Sequence, residues 1–168
     1  MDEDFFLIRK MKKGDEEAME YFVRQYYPVI LQYCRYRIRD SEYAKDITQE
    51  TFERFFGKLI EYHHMGKTVN YLYTIAGNLC RDFYQKKPEL VMEALPEQGE
   101  NPMEKISDIL DIEMALAKLP EELSEIIILY YFQDRKLKEI AGILQIGLPL
   151  VKYRIKRAKE QLGVILGK

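Results

Sequence analysis

Hydrophobic side chains recur at steps of three and four along most of the chain, which is the spacing of one face of an α-helix. Almost no segment alternates apolar and polar residues as a β-strand does. The pattern therefore predicts an all-α fold. The predicted helices cover residues 3–12, 15–38, 40–62, 68–87, 108–118, 120–132, 136–145 and 148–163.

The longest interruption of this pattern separates two blocks of helices. Residues 89–107 contain Pro96, Gly99 and Pro102 together with many acidic side chains. Such a composition is typical of a mobile linker. We therefore predict two small helical domains, at residues 1–88 and 108–168, joined by a flexible acidic linker.

The last two predicted helices give the clearest indication of a function. A tight break at residues 145–149 separates them, which is the layout of a helix-turn-helix. One side of the second helix is apolar, at Val151, Ile155, Ala158 and Leu162. The opposite side carries Pro149, Lys152, Tyr153, Lys156 and Arg157 at steps of three and four. Such a helix can pack on a domain and lie in a DNA groove, although most basic amphipathic helices are ordinary surface helices.

Composition places the chain among globular proteins, with 47% hydrophobic and 32% charged residues in 168 and a net charge of −2. Residues 1–90 hold 15 basic and 15 acidic side chains, and residues 91–115 hold one basic and seven acidic side chains. Residues 116–168 hold ten basic and six acidic ones, so the positive excess coincides with the helix-turn-helix. Without an apolar run of about 18 residues or a signal peptide, the sequence predicts a cytoplasmic protein.

The sequence offers no recognisable catalytic or metal-binding constellation. His63 and His64 are adjacent, and no cysteine stands near them at zinc-ligand spacing. Cys34 and Cys80 are expected to be buried thiols. No glycine-rich phosphate loop or GxSxG motif occurs. We therefore expect no enzyme, no metal and no cofactor.

Two faces of the first block each permit two interpretations. The helix at 68–87 combines aromatic rings with Arg81, which suits the stacking of unpaired bases, but Tyr73 and Phe83 could equally belong to the core. The polar side of the helix at 40–62 could be plain surface or a face that docks on another protein.

Three motifs in this order resemble those of bacterial RNA polymerase sigma factors of the extracytoplasmic-function (ECF) group. They are EYAKDITQETFERFF at 42–56, YLYTIAGNLCRDF at 71–83, and the Leu119-Pro120 pair followed by the helix-turn-helix. The resemblance covers nearly the whole chain outside the linker. It implies a protein that binds core RNA polymerase, recognises and melts promoter DNA, and initiates transcription. It also implies control by a membrane-linked anti-sigma factor.

The resemblance assigns residues to three binding surfaces. The polymerase would contact Asp46, Gln49, Glu50 and Arg54. The unpaired minus-ten element would contact His63, Lys67, Asn70, Tyr71, Asn78 and Arg81. The duplex minus-thirty-five element would contact Pro149, Lys152, Tyr153, Arg154, Lys156, Arg157 and Lys159, with Arg154 and Lys159 at phosphates.

The chain departs from the family pattern at a few positions. Tyr71 stands where many members have tryptophan, and its ring can still stack. Gln145 replaces a glycine in the turn and must adopt the glycine geometry at some cost. Residues 147–150, Gly-Leu-Pro-Leu, replace Ser-x-Gly-Thr, which removes a side-chain N-cap, while Pro149 suits a first helical turn. We therefore expect a changed entry of this helix into the groove.

Two alternative functions stay open on the sequence. A stand-alone helix-turn-helix regulator would bind duplex DNA without polymerase, but it leaves the aromatic residues of the helix at 68–87 unexplained. A decoy that occupies polymerase unproductively would bind the enzyme without opening a promoter.

Overall fold

The computed structural model describes residues 3–63, 66–86 and 108–167, and these residues form helices and turns without a β-strand. The helices are α1 (Glu3–Lys12), α2 (Glu16–Arg37), α3 (Ser41–Gly57), α4 (Thr68–Lys86), α5 (Asp108–Lys118), α6 (Glu121–Ile127), α7 (Leu137–Leu144) and α8 (Leu148–Ile165). The predicted all-α fold is confirmed. The predicted linker, 89–107, lies outside the described residues, as does His64. We refer to residues 3–86 as the N-terminal half and to 108–167 as the C-terminal half.

Two predicted helices differ from the structure. The helix predicted at 40–62 ends at Gly57, where Lys58 leaves the helical conformation and the chain continues as turns. Glycine is a poor helix former, which favours an end there. The helix predicted at 120–132 is α-helical only to Ile127 and continues as a π-helix over Ile128–Phe132. The Gln133 amide bonds Ile128 O at 3.0 Å, an i→i+5 bond that residue periodicity does not reveal.

An aromatic cluster forms the core of the N-terminal half. Phe22 of α2 is fully buried and stacks on Phe55 of α3, with ring centroids 4.9 Å apart. Phe52 and Phe56 contact the same ring edge-on. The Asp15 side chain accepts a hydrogen bond from the Ala18 amide at 3.2 Å, which confirms it as the N-cap of α2. These contacts fix the inner faces of α2 and α3 and leave the outer face of α3 in solvent.

Cys34 and Cys80 are buried free thiols, as predicted. They lie on the inner sides of α2 and α4. The neighbouring Cys80 side chain is the largest cause of the lowered pKa of Cys34. Burial, the largest cause, raises the pKa of Cys80.

Helices α7 and α8 form the predicted helix-turn-helix. Ile140 and Ile143 of α7 and Val151, Ile155 and Ala158 of α8 are buried, and α8 also packs on α6. Gln145 adopts the left-handed conformation, with φ 57° and ψ 45°, as its replacement of glycine predicts. Pro149 lies in the first turn of α8, and Gly147 caps that helix without a side-chain bond. The turn is thus built by backbone geometry rather than by a polar cap.

Replacing Gln145 by glycine should raise the free energy of unfolding by about 0.5–1 kcal/mol, because glycine reaches the left-handed region without a Cβ penalty. The extra chain entropy of glycine in the unfolded state keeps the gain small. Chemical denaturation measures the change. Asp134, with φ 54°, is the matched control: Asp134→Gly should gain less, since aspartate tolerates this region better than glutamine. Equal gains would contradict a strain specific to Gln145.

Candidate polymerase and nucleic-acid interfaces

The outer face of α3 is a continuous polar surface. Asp46, Gln49, Glu50 and Arg54, the residues predicted to contact polymerase, are all exposed on it. They share one face because α3 buries the opposite one, where Ala44 and Phe55 are fully inaccessible. Glu50 and Arg54 pair at 2.7 Å across one turn, and both are about half exposed. Exposed pairs contribute little, so these charges can change partner at small cost.

A cleft brings together four residues predicted to contact the minus-ten element. One wall of the cleft is lined by His63, Lys67, Asn70 and Tyr71. The other wall is lined by Lys138, Glu139, Gly142 and Gln145. The Tyr71 ring stacks on Tyr62, with centroids 4.9 Å apart and planes 30° apart. Tyr71 is therefore held in a fixed orientation at the cleft, where the family pattern has a larger ring.

Asn70 is engaged by the C-terminal half. Its amide nitrogen donates to Glu139 Oε2 at 3.0 Å, and its oxygen accepts from Arg135 Nη1 at 3.2 Å. Lys67 Nζ lies 3.6 Å from the same Glu139 oxygen. Burial by itself would raise the pKa of Glu139, but hydrogen bonds from the Lys136 amide and from Asn70, with the nearby cations, hold that pKa below its ordinary value. Glu139 is therefore a charged acceptor at neutral pH.

Arg81 and Asn78 lie further along α4, away from the cleft. Arg81 Nη2 donates to the Asn78 side-chain oxygen, and Arg81 Nη1 lies 2.6 Å from Glu125 Oε2 of α6. The six predicted minus-ten residues are thus divided between two places. Four surround the cleft, and two lie at an ionic contact between the halves.

Arg37 is the centre of that ionic contact, although no sequence motif predicts a role for it. Its Nη2 lies 3.0 Å from Glu121 Oε1 and 3.4 Å from Glu125 Oε2, and its Nη1 donates to the Tyr33 hydroxyl at 2.6 Å. Burial by itself lowers the pKa of Arg37, but Tyr33, Cys80 and Glu125 raise it above the ordinary value. Arg37 stands four residues after the buried Tyr33 and therefore lies on the same side of α2. A cation on the buried side of a helix is the sequence signal that could have identified it.

The two interpretations of the aromatic residues in α4 are resolved for Tyr73. Its side chain is buried, and its hydroxyl donates to Gln133 Oε1 at 2.7 Å. Burial raises the pKa of Tyr73 to about 12. Tyr73 is a core residue in this structure. Phe83 is half-buried and packs on Tyr43, with centroids 5.0 Å apart.

The outer face of α8 is basic and exposed. Pro149, Lys152, Tyr153, Lys156, Arg157 and Lys159 are exposed, whereas Arg154 is half-buried at the flank. Lys159 Nζ lies 5.7 Å from the ring centroid of Tyr131, and a hydrogen bond with Tyr131 raises the pKa of this lysine. Tyr131 comes from the π-helical segment, so its place beside α8 could not be predicted from helical spacing. The arrangement presents a row of cations on a rigid, one-sided helix.

Comparison with known proteins identifies the family. Residues 22–88 match Sigma-70 region 2, and residues 109–162 match Sigma-70, region 4. The chain is 31% identical over 175 residues to the ECF RNA polymerase sigma factor SigW of Bacillus subtilis, and the match covers 92% of each protein. The chain belongs to the ECF sigma factors.

Solved structures share the fold of this ECF sigma factor. The structure of CnrH in complex with the cytosolic domain of CnrY matches with a TM-score of 0.78 at 22% identity, over 99% of this chain and 98% of that one. The sigma factor RpoE of Bartonella quintana, crystallised with the anti-sigma factor NepR, matches with a TM-score of 0.72 at 18% identity, over 90% and 98%. The expected family resemblance is confirmed.

Family membership establishes the role of the chain. An ECF sigma factor binds core RNA polymerase and directs it to promoters, so its partners are core polymerase and promoter DNA. Sigma factors are initiation factors that carry out no catalysis of their own. None of the helices in the described ranges has the length and apolar character needed to cross a membrane. In the same ranges, no three histidine, cysteine or acidic side chains are grouped to hold a metal ion.

Proposed function

We propose that this sigma factor recognises and melts promoters through three separate surfaces, of which α8 reads the upstream duplex. The observation that carries the proposal is the one-sided character of α8, buried on its apolar side and cationic on its exposed side. Lys152, Tyr153, Lys156 and Arg157 would reach base edges in the major groove, and Arg154 and Lys159 would contact phosphates. Pro149 would lie where the helix enters the groove.

The N-terminal half would hold the unpaired minus-ten strand. One cleft is lined by His63, Lys67, Asn70 and Tyr71, and the Tyr71 ring stacks on Tyr62 at its edge. Asn78 and Arg81 lie further along α4. Taking a base out of the duplex costs a few kcal/mol, as an order of magnitude. Stacking and contacts to polymerase would offset that cost.

The outer face of α3 would contact core polymerase through Asp46, Gln49, Glu50 and Arg54. We further propose that the chain consists of two domains, at residues 1–88 and 108–168, joined by a linker at 89–107. We also propose that the protein is cytoplasmic and is not an enzyme. An anti-sigma partner is proposed because the RpoE of Bartonella quintana was crystallised with one.

Run-off transcription with purified core polymerase on a genomic promoter library tests the proposal. We expect promoter-selective transcripts that appear only when the protein is added. Core binding without any transcript would favour a decoy instead. Tight operator binding without polymerase, and no transcript with it, would favour a stand-alone regulator.

Replacing Glu50 by lysine should weaken core polymerase binding about fivefold to tenfold. An exposed ion pair contributes at most about 1 kcal/mol, and a reversed charge adds repulsion at the contact. Titration of labelled protein with core polymerase measures the change. Glu20→Lys, a reversal at an exposed carboxylate of α2, should leave binding unchanged. Equal losses in both variants would place the contact elsewhere, and duplex binding by the C-terminal half should not change in either.

A further inference from the structure

The outer face of α1 carries an exposed aromatic ring and a row of cations. Phe6, Arg9 and Lys10 lie at steps of three and four along the helix, and Lys13 follows in the turn after it. We call these four residues the α1 strip. All four are exposed, Phe6 by 55%. Among the described residues, no carboxylate forms an ion pair with the three cations. The α1 strip is therefore a surface of unpaired positive charge with a ring at one end.

The inner face of α1 fixes the orientation of this strip. Ile8 and Met11 are buried against the core of the N-terminal half. The Asp4 carboxylate accepts a hydrogen bond from the Tyr26 hydroxyl of α2. These contacts occupy the side of the helix opposite to the α1 strip, so the ring and the cations are held toward solvent on a rigid support.

The C-terminal end of α1 adjoins the cleft proposed for the minus-ten strand. Lys12 Nζ donates to the main-chain carbonyl oxygen of Tyr62 at 2.5 Å. The Tyr62 ring in turn stacks on Tyr71, which lines the cleft beside His63. The cationic end of the α1 strip, at Lys13, therefore lies next to the cleft.

The chemistry of the α1 strip fits single-stranded nucleic acid, which proteins hold by stacking bases on rings and pairing phosphates with cations. At a rise of about 1.5 Å per residue, the strip from Phe6 to Lys13 is about 10 Å long. That length accommodates about three phosphates at a spacing of roughly 3.4 Å along a strand. We propose, on the basis of the proposed minus-ten cleft, that the α1 strip binds the non-template strand where this strand leaves the cleft.

The cations of the α1 strip contact phosphates, and the Phe6 ring stacks on a base. Phosphate contacts carry no sequence information. Loss of the cations should therefore weaken all promoters alike and leave discrimination between promoter sequences unchanged.

The variant Arg9→Gln/Lys10→Gln/Lys13→Gln tests the α1 strip in the holoenzyme, because glutamine keeps the helix propensity and removes the charge. The probes are fluorescent single strands with the non-template sequence of a promoter that the holoenzyme transcribes in the run-off assay. The short probe contains the minus-ten element alone. Two longer probes extend it by about eight nucleotides, one toward the start site and the other upstream.

We expect the triple variant to bind one of the two longer probes about eightfold more weakly, because each of three exposed charge contacts contributes about twofold. For that probe, the slope of log affinity against log salt should fall by roughly 2, at about 0.7 for each phosphate contact on a single strand. Affinities for the short probe and for core polymerase should not change.

A second variant, Phe6→Leu, separates stacking from charge. Leucine keeps an apolar contact with Phe5, whose ring lies edge-on to Phe6 with centroids 5.4 Å apart. The same longer probe should bind about fivefold more weakly, at the lower end of the range for one stacked base. The salt slope should stay as in the wild type, because no charge is removed.

A matched control removes three positive charges from exposed positions on α2 and α5 and should leave every affinity and slope as in the wild type. It combines Arg24→Gln, Arg35→Gln and Lys118→Gln. An equal loss in this control would overturn the proposal, since the effect would then come from the net charge of the protein.

Three further results would overturn the α1 strip as a DNA-binding surface. The first is unchanged affinity for both longer probes, and the second is a loss of core polymerase affinity in place of DNA affinity. The third is weakened binding to phosphatidylglycerol vesicles with unchanged DNA affinity, which would assign the strip to an anionic membrane surface.

Failure of the proposed cleft gives a different result. Tyr71→Ala should weaken binding of the short probe, and unchanged binding would remove Tyr71 from the minus-ten contacts. If the triple variant still weakened a longer probe in that case, the α1 strip would bind a strand that does not come from this cleft, and the proposed path would be wrong.

Discussion

Replacing Arg37 by alanine is expected to lower the free energy of unfolding by up to about 3–5 kcal/mol, because it removes one of the two cations that face the buried carboxylate of Glu125. Arg37 has a side-chain exposure of 1% and Glu125 one of 5%. The substitution also removes the hydrogen bond to the Tyr33 hydroxyl and leaves a cavity between α2 and α6. Arg81 would still face Glu125, which limits the loss.

Urea denaturation followed by circular dichroism measures this change. Arg35→Ala, in the same last turn of α2 but exposed, should cost less than about 1 kcal/mol, which is the range of a surface cation at a helix C-terminus. The double variant Arg37→Met/Glu125→Leu should recover most of the stability, because removing both partners leaves no buried charge between them. A loss for Arg37→Ala no greater than that for Arg35→Ala would show that the ionic contact is not formed in solution.

Replacing Arg157 by alanine is expected to cost about 1–3 kcal/mol of promoter recognition if its guanidinium contacts a base edge. That range corresponds to a loss of roughly 5-fold to 150-fold in affinity. Arg157 is half exposed, and its Nη1 lies 3.9 Å from Glu160 Oε2. Such an exposed pair is weak, so the side chain is available to DNA.

Competition between promoters that differ at single minus-thirty-five positions checks the assignment. A base contact predicts that Arg157→Ala relaxes discrimination at one position, whereas a phosphate contact predicts uniform weakening and a smaller salt dependence. Lys13→Ala removes the same charge from the exposed turn between α1 and α2 and should leave promoter discrimination unchanged. Unaltered discrimination in Arg157→Ala would remove this residue from the base-reading set.

Local sequence patterns predict the backbone conformation in the turn of the helix-turn-helix. Gln145 in place of glycine predicted a left-handed residue, and Pro149 predicted a first turn, and both are found. Each is a matter of backbone conformation within a few residues, which local sequence specifies. The π-helical end of α6 was not predicted, because no residue pattern distinguishes it from a continued α-helix, and with it the contact of Tyr131 and Lys159 was missed.

The helical periodicity alone settles the all-α fold and the apolar and basic sides of α8, because each depends on residues three or four positions apart. The contacts of Arg37 with Glu121, Arg81 with Glu125 and Asn70 with Glu139 join residues 84, 44 and 69 positions apart. Periodicity carries no information on which surfaces meet across such separations. That the donors of α4 face carboxylates rather than solvent follows from the packing of the two halves alone.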